Sequence, residues 1–268
     1  MSMPARPSDR PRALIARRSE RVEGLSARIR DAGWAVDALS PIAFEPPRDI
    51  RAAVRAVGES DRYERIAFTS PEGVRRFFAV RAGFETAAES RLPPDSIRAA
   101  AIGRGTSETL ALVGVRDVWC GDRADGAGLA EAFPASPSGR RVLVVGPEEG
   151  RPDLAEGLCA KGWRVDGVPF YRTVPSEDVP AIVAGLRDGR WSAVLWASPS
   201  GVRAVAEVDR EAMERAAEGG ARYVAIGPTT AAALAAQGLD VVVAERPEDD
   251  VLVRALVLPS DASVEDSE

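Results

Sequence analysis

The chain has 268 residues, 45% hydrophobic and 28% charged, enough for one large core or two of ordinary size. A net charge of −6 and an isoelectric point near 5.1 argue against nucleic acid as a partner, though not against a small anionic ligand. Histidine is absent, which removes Ser-His-Asp and Cys-His machinery, imidazole acid–base catalysis and His-ligated zinc.

In chain order, the lead from Met1 to Arg12 is rich in Pro, Arg and Ser. It lacks the apolar stretch of a signal peptide, and no run approaches membrane-spanning length, so a soluble cytoplasmic protein is expected, with no membrane partner. Ala13 to Ala16 is a short apolar strand, and Val22, Leu25 and Ile29 at helical spacing make a crossover helix of Glu20 to Asp31. Gly33 ends that helix and Trp34 to Leu39 begins a second strand. The segment Ser40 to Pro47 carries prolines that suit an extended linker or edge strand. A helix near Asp49 to Val57 follows, then strand Arg65 to Thr69, a helix from Pro71, strand Ala99 to Ile102, a helix from Thr106, and strand Asp117 to Trp119. A polar loop from Gly121 to Gly139 holds a short helix around Leu129 to Phe133.

The pattern restarts at Arg141 to Val145, with a helix near Pro152 to Lys161, strand Arg164 to Val168, and a second extended piece, Pro169 to Pro175. Then come strand Ala193 to Trp196, helix Gly201 to Glu207, strand Tyr223 to Ile226, helix Thr230 to Ala236, strand Asp240 to Val243, a last helix near Asp250 to Leu256, and an acidic tail from Pro259, expected to be disordered. Alternating short strands and amphipathic helices predict the α/β class, with two doubly wound parallel-sheet domains joined by a two-stranded extended linker.

The chain is written twice. Gly33-Trp34-Ala35-Val36-Asp37 returns as Gly162-Trp163-Arg164-Val165-Asp166, Ser70-Pro71-Glu72-Gly73-Val74 as Ser198-Pro199-Ser200-Gly201-Val202, and Ile102-Gly103 as Ile226-Gly227. The three anchors keep their order at nearly the same offset, which marks two homologous halves.

Ligands of doubly wound sheets meet the carboxyl ends of strands. There the sequence puts Arg17, Ser70, Gly103, Thr106, Gly146, Arg151, Ser198, Ser200, Gly227, Thr229 and Thr230. Ser70 before Pro71 and Ser198 before Pro199 fit a serine N-cap with proline at the first helical position, which is a purely structural use. Amides, hydroxyls and helix dipoles gathered at several helix starts also suit anions without net positive charge. A Rossmann fingerprint and a P-loop are both missing. Glu148, Glu149 and Asp153 read as first-turn helix charges rather than metal ligands. Cys120 and Cys159 are too few for a disulfide framework or metal cluster and are expected to be buried thiols, and Lys161, the only lysine, is expected at a solvated helix end. Tyr171, between Phe170 and Arg172, is the residue of chemical interest outside the strand ends. Packing would also explain it.

Ala225-Ile226-Gly227-Pro228-Thr229-Thr230-Ala231, Phe68-Thr69-Ser70, the run from Gly146 through Arg151 and Leu154 to Gly162, and Tyr171-Arg172-Thr173-Val174-Pro175 together resemble the uroporphyrinogen-III synthase family, over residues 13 to 257. The resemblance implies one domain of residues 1–40 plus 172–268, another of 43–168, and linkers near 40–47 and 169–176 that act as a hinge. It implies a hydro-lyase of tetrapyrrole biosynthesis that closes hydroxymethylbilane with inversion of ring D through a spiro intermediate, without cofactor or metal. The partner is then a linear tetrapyrrole polycarboxylate, handed over from hydroxymethylbilane synthase to a monomer. Tyr171 becomes the candidate proton donor, and the strand-end residues become the substrate-binding set. The chain departs from the family pattern at Pro71-Glu72 and at Ala16-Arg17-Arg18. Those departures leave open a non-catalytic two-lobed tetrapyrrole-binding or regulatory protein.

Overall fold

A computed structural model describes residues 10–17, 22–85, 93–136 and 138–257. The lead before Arg10, the start of the first helix at Glu20 and the tail from Pro259 lie outside the described residues.

In chain order the elements are β1 (Arg12–Ala16), α1 (Val22–Asp31), β2 (Ala35–Leu39), β3 (Ile42–Glu45), α2 (Ile50–Gly58), β4 (Arg65–Phe68), α3 (Pro71–Glu85), β5 (Arg98–Ala101), α4 (Arg104–Leu112), β6 (Asp117–Cys120) and α5 (Gly126–Ala132). They continue with β7 (Arg141–Pro147), α6 (Asp153–Ala160), β8 (Arg164–Pro175), α7 (Val179–Arg187), β9 (Ala193–Trp196), α8 (Pro199–Glu218), β10 (Arg222–Ala225), α9 (Pro228–Ala235), β11 (Val242–Val243) and α10 (Asp249–Val257). No helix among the described residues is long and apolar enough to cross a membrane.

The chain divides into two compact units, Met1–Ala43 with Val174–Glu268, and Phe44–Thr173. It passes from one to the other in β3 and returns in β8, which are neighbours in one sheet. In the first unit the strand order is β11-β10-β9-β1-β2, with parallel pairing throughout. Its sheet is covered on both faces. Val179, Val183, Val205 and Leu234 from α7, α8 and α9 form one layer, and Leu25, Ile29, Leu252 and Leu256 from α1 and α10 form the other. The second unit has the order β3-β8-β7-β4-β5-β6, parallel from β8 onward. Ala53, Val74, Phe77 and Leu110 from α2, α3 and α4 cover one face, and Leu129, Leu154 and Leu158 from α5 and α6 the other. The α/β class with two parallel sheets is therefore as expected from the alternation of elements.

Read in opposite directions, the two orders match: β11-β10-β9-β1-β2 against β6-β5-β4-β7-β8. Each unit combines the opening strand-helix-strand of one sequence half with the remainder of the other half.

Some segments differ from their expectation. Helix α7 is not among the expected elements, although Val179, Ile182, Val183 and Leu186 bury themselves at helical spacing and Pro180 sits in the tolerated first turn. Helix α8 runs on past Glu207 to Glu218, across a break at Asp209 (φ −159°, ψ 91°). The Asp209 carboxylate accepts the Ala212 amide at 2.9 Å and so starts the second half of the helix anew. The extended piece Pro169–Pro175 is not separate from the strand before it, because its prolines fall in strand β8 where a register shift follows Gly146. Cys120 and Cys159 are exposed rather than buried, since each lies on the solvent side of its strand or helix. Lys161 ends α6 as expected but is half-buried and engaged: its Nζ donates to the carbonyls of Glu131 at 2.7 Å and Phe133 at 2.6 Å, capping the end of α5.

Candidate functional site

Parallel strands bring all their carboxyl ends to one edge of each sheet, so the expected site residues fall into two groups. Arg17, Ser198, Ser200, Gly227, Thr229 and Thr230 belong to the first unit. Ser70, Gly103, Thr106, Arg151 and Tyr171 belong to the second.

In the first unit, Ser198 follows β9 in extended backbone and its Oγ accepts the Gly201 amide at 3.1 Å, the N-cap bond of α8. The same Oγ lies 3.2 Å from Ser200 Oγ. Gly227 precedes α9 with φ −178°, a conformation open to any residue, and a Cβ there would meet nothing within 4 Å. Neither backbone nor packing requires glycine at this point. Thr229 is exposed, whereas Thr230 is 2% exposed and its amide already bonds to the Gly227 carbonyl at 3.2 Å. Thr230 is thus largely enclosed, in contrast to its exposed neighbour Thr229. Arg17 follows β1 directly, its amide bonded to the Ile15 carbonyl at 3.0 Å.

In the second unit, Gly103 leads into α4 at φ 75°, where a side chain is strained, and a Cβ would stand 3.3 Å from that of Ala124. Thr106, like Thr230 in the other copy, is 2% exposed. Arg151 is exposed beyond β7, and its charge helps hold the Asp125 carboxyl low, although the Gly128 amide that Asp125 caps contributes most. Glu148 is not a first-turn helix charge. One carboxylate oxygen accepts the Arg48 amide and the other lies 3.2 Å from Arg48 Nη1, off the line of a hydrogen bond. Glu149 also lies before α6 rather than in its first turn, which Asp153 opens, and both are exposed. Among the described residues no acidic or cysteine cluster is arranged to hold a metal ion.

Ser70 and Tyr171 come together. Ser70 Oγ caps α3 by accepting the Gly73 amide at 3.0 Å, and it lies 2.8 Å from the Tyr171 hydroxyl. Tyr171 is 5% exposed, its ring packed edge-on against Phe44 with centroids 5.2 Å apart. Burial raises the phenol's pKa above its ordinary value, the bond to Ser70 opposes that, and the Glu72 charge adds to it. The phenol is thus protonated throughout the neutral range.

Glu72, whose charge is at odds with an anionic ligand, is ion-paired within its own helix. Arg76 Nε donates to it at 2.7 Å and Arg75 lies at 3.5 Å. Arg76 Nη2 also donates to the Phe44 carbonyl at 3.1 Å. The Glu72-Arg76 spacing is visible in the sequence as a helical i, i+4 pair. Its link to Phe44 is not, because nothing local announces a contact across thirty-two residues.

A family model described as uroporphyrinogen-III synthase HemD matches residues 23–254. Among solved structures, the chain is similar to a mutant uroporphyrinogen III synthase from the extremely thermophilic bacterium Thermus thermophilus, at 22% identity and a TM-score of 0.64, over 90% of this chain and 96% of that one. It is also similar to the uroporphyrinogen-III synthetase of Helicobacter pylori, at 16% identity and a TM-score of 0.59, over 91% and 97% of the two chains. The structural likenesses carry the fold, and the family model carries the activity, a cyclising hydro-lyase. The chain belongs to the uroporphyrinogen-III synthase family.

Proposed function

We propose that this chain closes hydroxymethylbilane with inversion of ring D and that the Ser70–Tyr171 pair delivers the proton for the first step. The reaction begins when the terminal hydroxymethyl carbon loses its oxygen as water, leaving an azafulvene cation. The substituted carbon of ring D attacks that cation to give a spiro intermediate, which breaks and recloses to the inverted ring. The substrate supplies the reactive carbon, so the protein's tasks are to fold the chain and to move one proton.

The observation that carries this reading is the 2.8 Å separation of Ser70 Oγ and the Tyr171 hydroxyl. Tyr171 is too buried to reach far, while Ser70 is half-buried at the strand end. Ser70 Oγ hands its proton to the departing hydroxyl as it takes the phenol's proton, so Tyr171 acts through Ser70. Water leaves, the phenolate remains, and the proton later lost from ring D balances it.

Each unit offers its own main-chain amides and hydroxyls at its helix starts as contacts for substrate carboxylates, Ser198, Ser200, Gly227, Thr229 and Thr230 in the first and Ser70, Gly103 and Thr106 in the second. Gly227 fits this, since the space beside it is open and its bare backbone lets a ligand approach closely. Charge-assisted hydrogen bonds contribute about 1.5–3 kcal/mol each, so a few suffice to select one fold of a polycarboxylate. Arg17 and Arg151 supply charge near the two sets.

The test is to incubate the protein with a porphobilinogen deaminase and porphobilinogen and to separate the oxidised uroporphyrins. The type III isomer is expected. Type I alone, with bilane bound but not turned over, would reduce the protein to a binding module.

A further inference from the structure

We propose that Glu72 and Arg76 are positioning residues for the Tyr171 phenol, acting through Phe44. This rests on the reading of Tyr171 as proton source, but its geometry stands independently.

Three contacts fix the phenol. Its hydroxyl is held by Ser70 Oγ at 2.8 Å, and its ring is met edge-on by Phe44 at an interplanar angle of 74°. The third contact is indirect. Phe44 sits in the short strand β3, and its carbonyl is held at 3.1 Å by Arg76 Nη2. Arg76 is in turn oriented by Glu72, whose Oε1 accepts from Nε at 2.7 Å. A guanidinium can do both at once because its donors point in fixed, divergent directions. An ammonium on a flexible stem satisfies one partner at a time. The chain Glu72-Arg76-Phe44-Tyr171 thus ties the first turn of α3, which also carries Ser70, to the ring whose hydroxyl Ser70 must meet.

The charged groups near the phenol are Glu72 and Arg76 on α3, Glu148, whose amide donates to the Tyr171 carbonyl at 2.9 Å, and the Arg172–Glu45 pair on β8 and β3. Of these, Glu72 is the charge that acts on the phenol. The same carboxylate that orients Arg76 therefore also helps to keep the proton on Tyr171. That gives the pair a signature that plain packing lacks.

The experiment has two arms. In the first, alkaline difference absorbance is recorded for the wild type and for Glu72→Gln, each with its own Tyr171→Phe partner subtracted, which isolates the Tyr171 phenol without any need for turnover. Glu72→Gln should lower the midpoint. In the second, Arg76→Lys, which keeps the charge and loses the fork, should lower kcat about five- to ten-fold with KM unchanged, and should cause no further loss in a Tyr171→Phe background. A midpoint unmoved in Glu72→Gln, or an Arg76→Lys loss of equal size in both backgrounds, would overturn the proposal. A moved midpoint in a protein that yields only type I product would uphold the positioning and remove the proton-source reading.

Discussion

In the first unit the serine that follows the central strand, Ser198, caps α8 and bonds a neighbouring serine. In the second its counterpart Ser70 caps α3 and bonds a phenol. The two sheets share strand order, serine caps and buried threonines after Gly103 and Gly227. They also share an ion pair from the first strand to the second, Arg12–Asp37 at 2.9 Å and Arg141–Asp166 at 2.6 Å. They part five residues beyond that aspartate, where Ile42 packs on the core of one unit and Tyr171 meets Ser70 in the other. What the halves hold in common is what a doubly wound sheet needs. The proposed proton chemistry lies where they differ.

The comparison can be broken most severely at the serines. Ser198→Ala removes a cap, the contact to Ser200 and a proposed carboxylate contact, and should cost about 1 kcal/mol of stability and raise KM. Ser70→Ala removes a cap and the phenol's partner, so about 2 kcal/mol is expected, together with a fall in kcat that Ser198→Ala does not share. Equal losses in urea melts and equal kcat values would erase the distinction.

The glycines give the next effect. Gly103→Ala forces a side chain into φ 75° beside Ala124 and should destabilise by about 1–2 kcal/mol. Gly227→Ala enters open space in extended backbone, so thermal stability should change far less while KM rises. A Gly227→Ala protein with unchanged KM would show that no ligand approaches there.

The smallest effects concern pH and have opposite signs in the two units. Burial works against the Asp37 charge, but the Trp191 N–H, Arg12 and Arg190 outweigh it and hold the carboxyl below its ordinary value. Its contribution is complete above the unfolded pKa of about 3.9 and is lost as pH falls through the folded value, so Asp37→Asn should flatten the acid limb of the stability curve. In the second unit, burial first and then Asp166 push the Tyr63 phenol up to about 12. The unfolded phenol ionises near 10, so stability is full below that and falls as pH rises towards 12, and Tyr63→Phe should remove the loss. Melting temperatures measured across both limits check the pair.

The fold was legible because its signals are local and periodic. Val22, Leu25 and Ile29 mark α1, and the repeated Gly-Trp-x-Val-Asp marks a repeated strand. Helix α7 has equally regular spacing, but it lies directly behind the proline-rich crossing, whose breakers mask its start. The site was legible only in part. Ser70 and Ser198 announce themselves as caps, whereas the bond from Ser70 to Tyr171 spans the whole second unit and has no local trace. Thr106 and Thr230 show a further limit, since a threonine at a helix start reads alike whether its side chain is exposed, as at Thr229, or almost fully enclosed.

The central claim is that the phenol unique to the second unit provides the proton for loss of water. The most direct measurement is the single-turnover rate of hydroxymethylbilane consumption by Tyr171→Phe. The ring remains against Phe44, so folding and substrate affinity should be nearly unchanged while the rate falls by up to about 10²-fold. A wild-type rate in that variant would contradict the account and leave Tyr171 a packing residue.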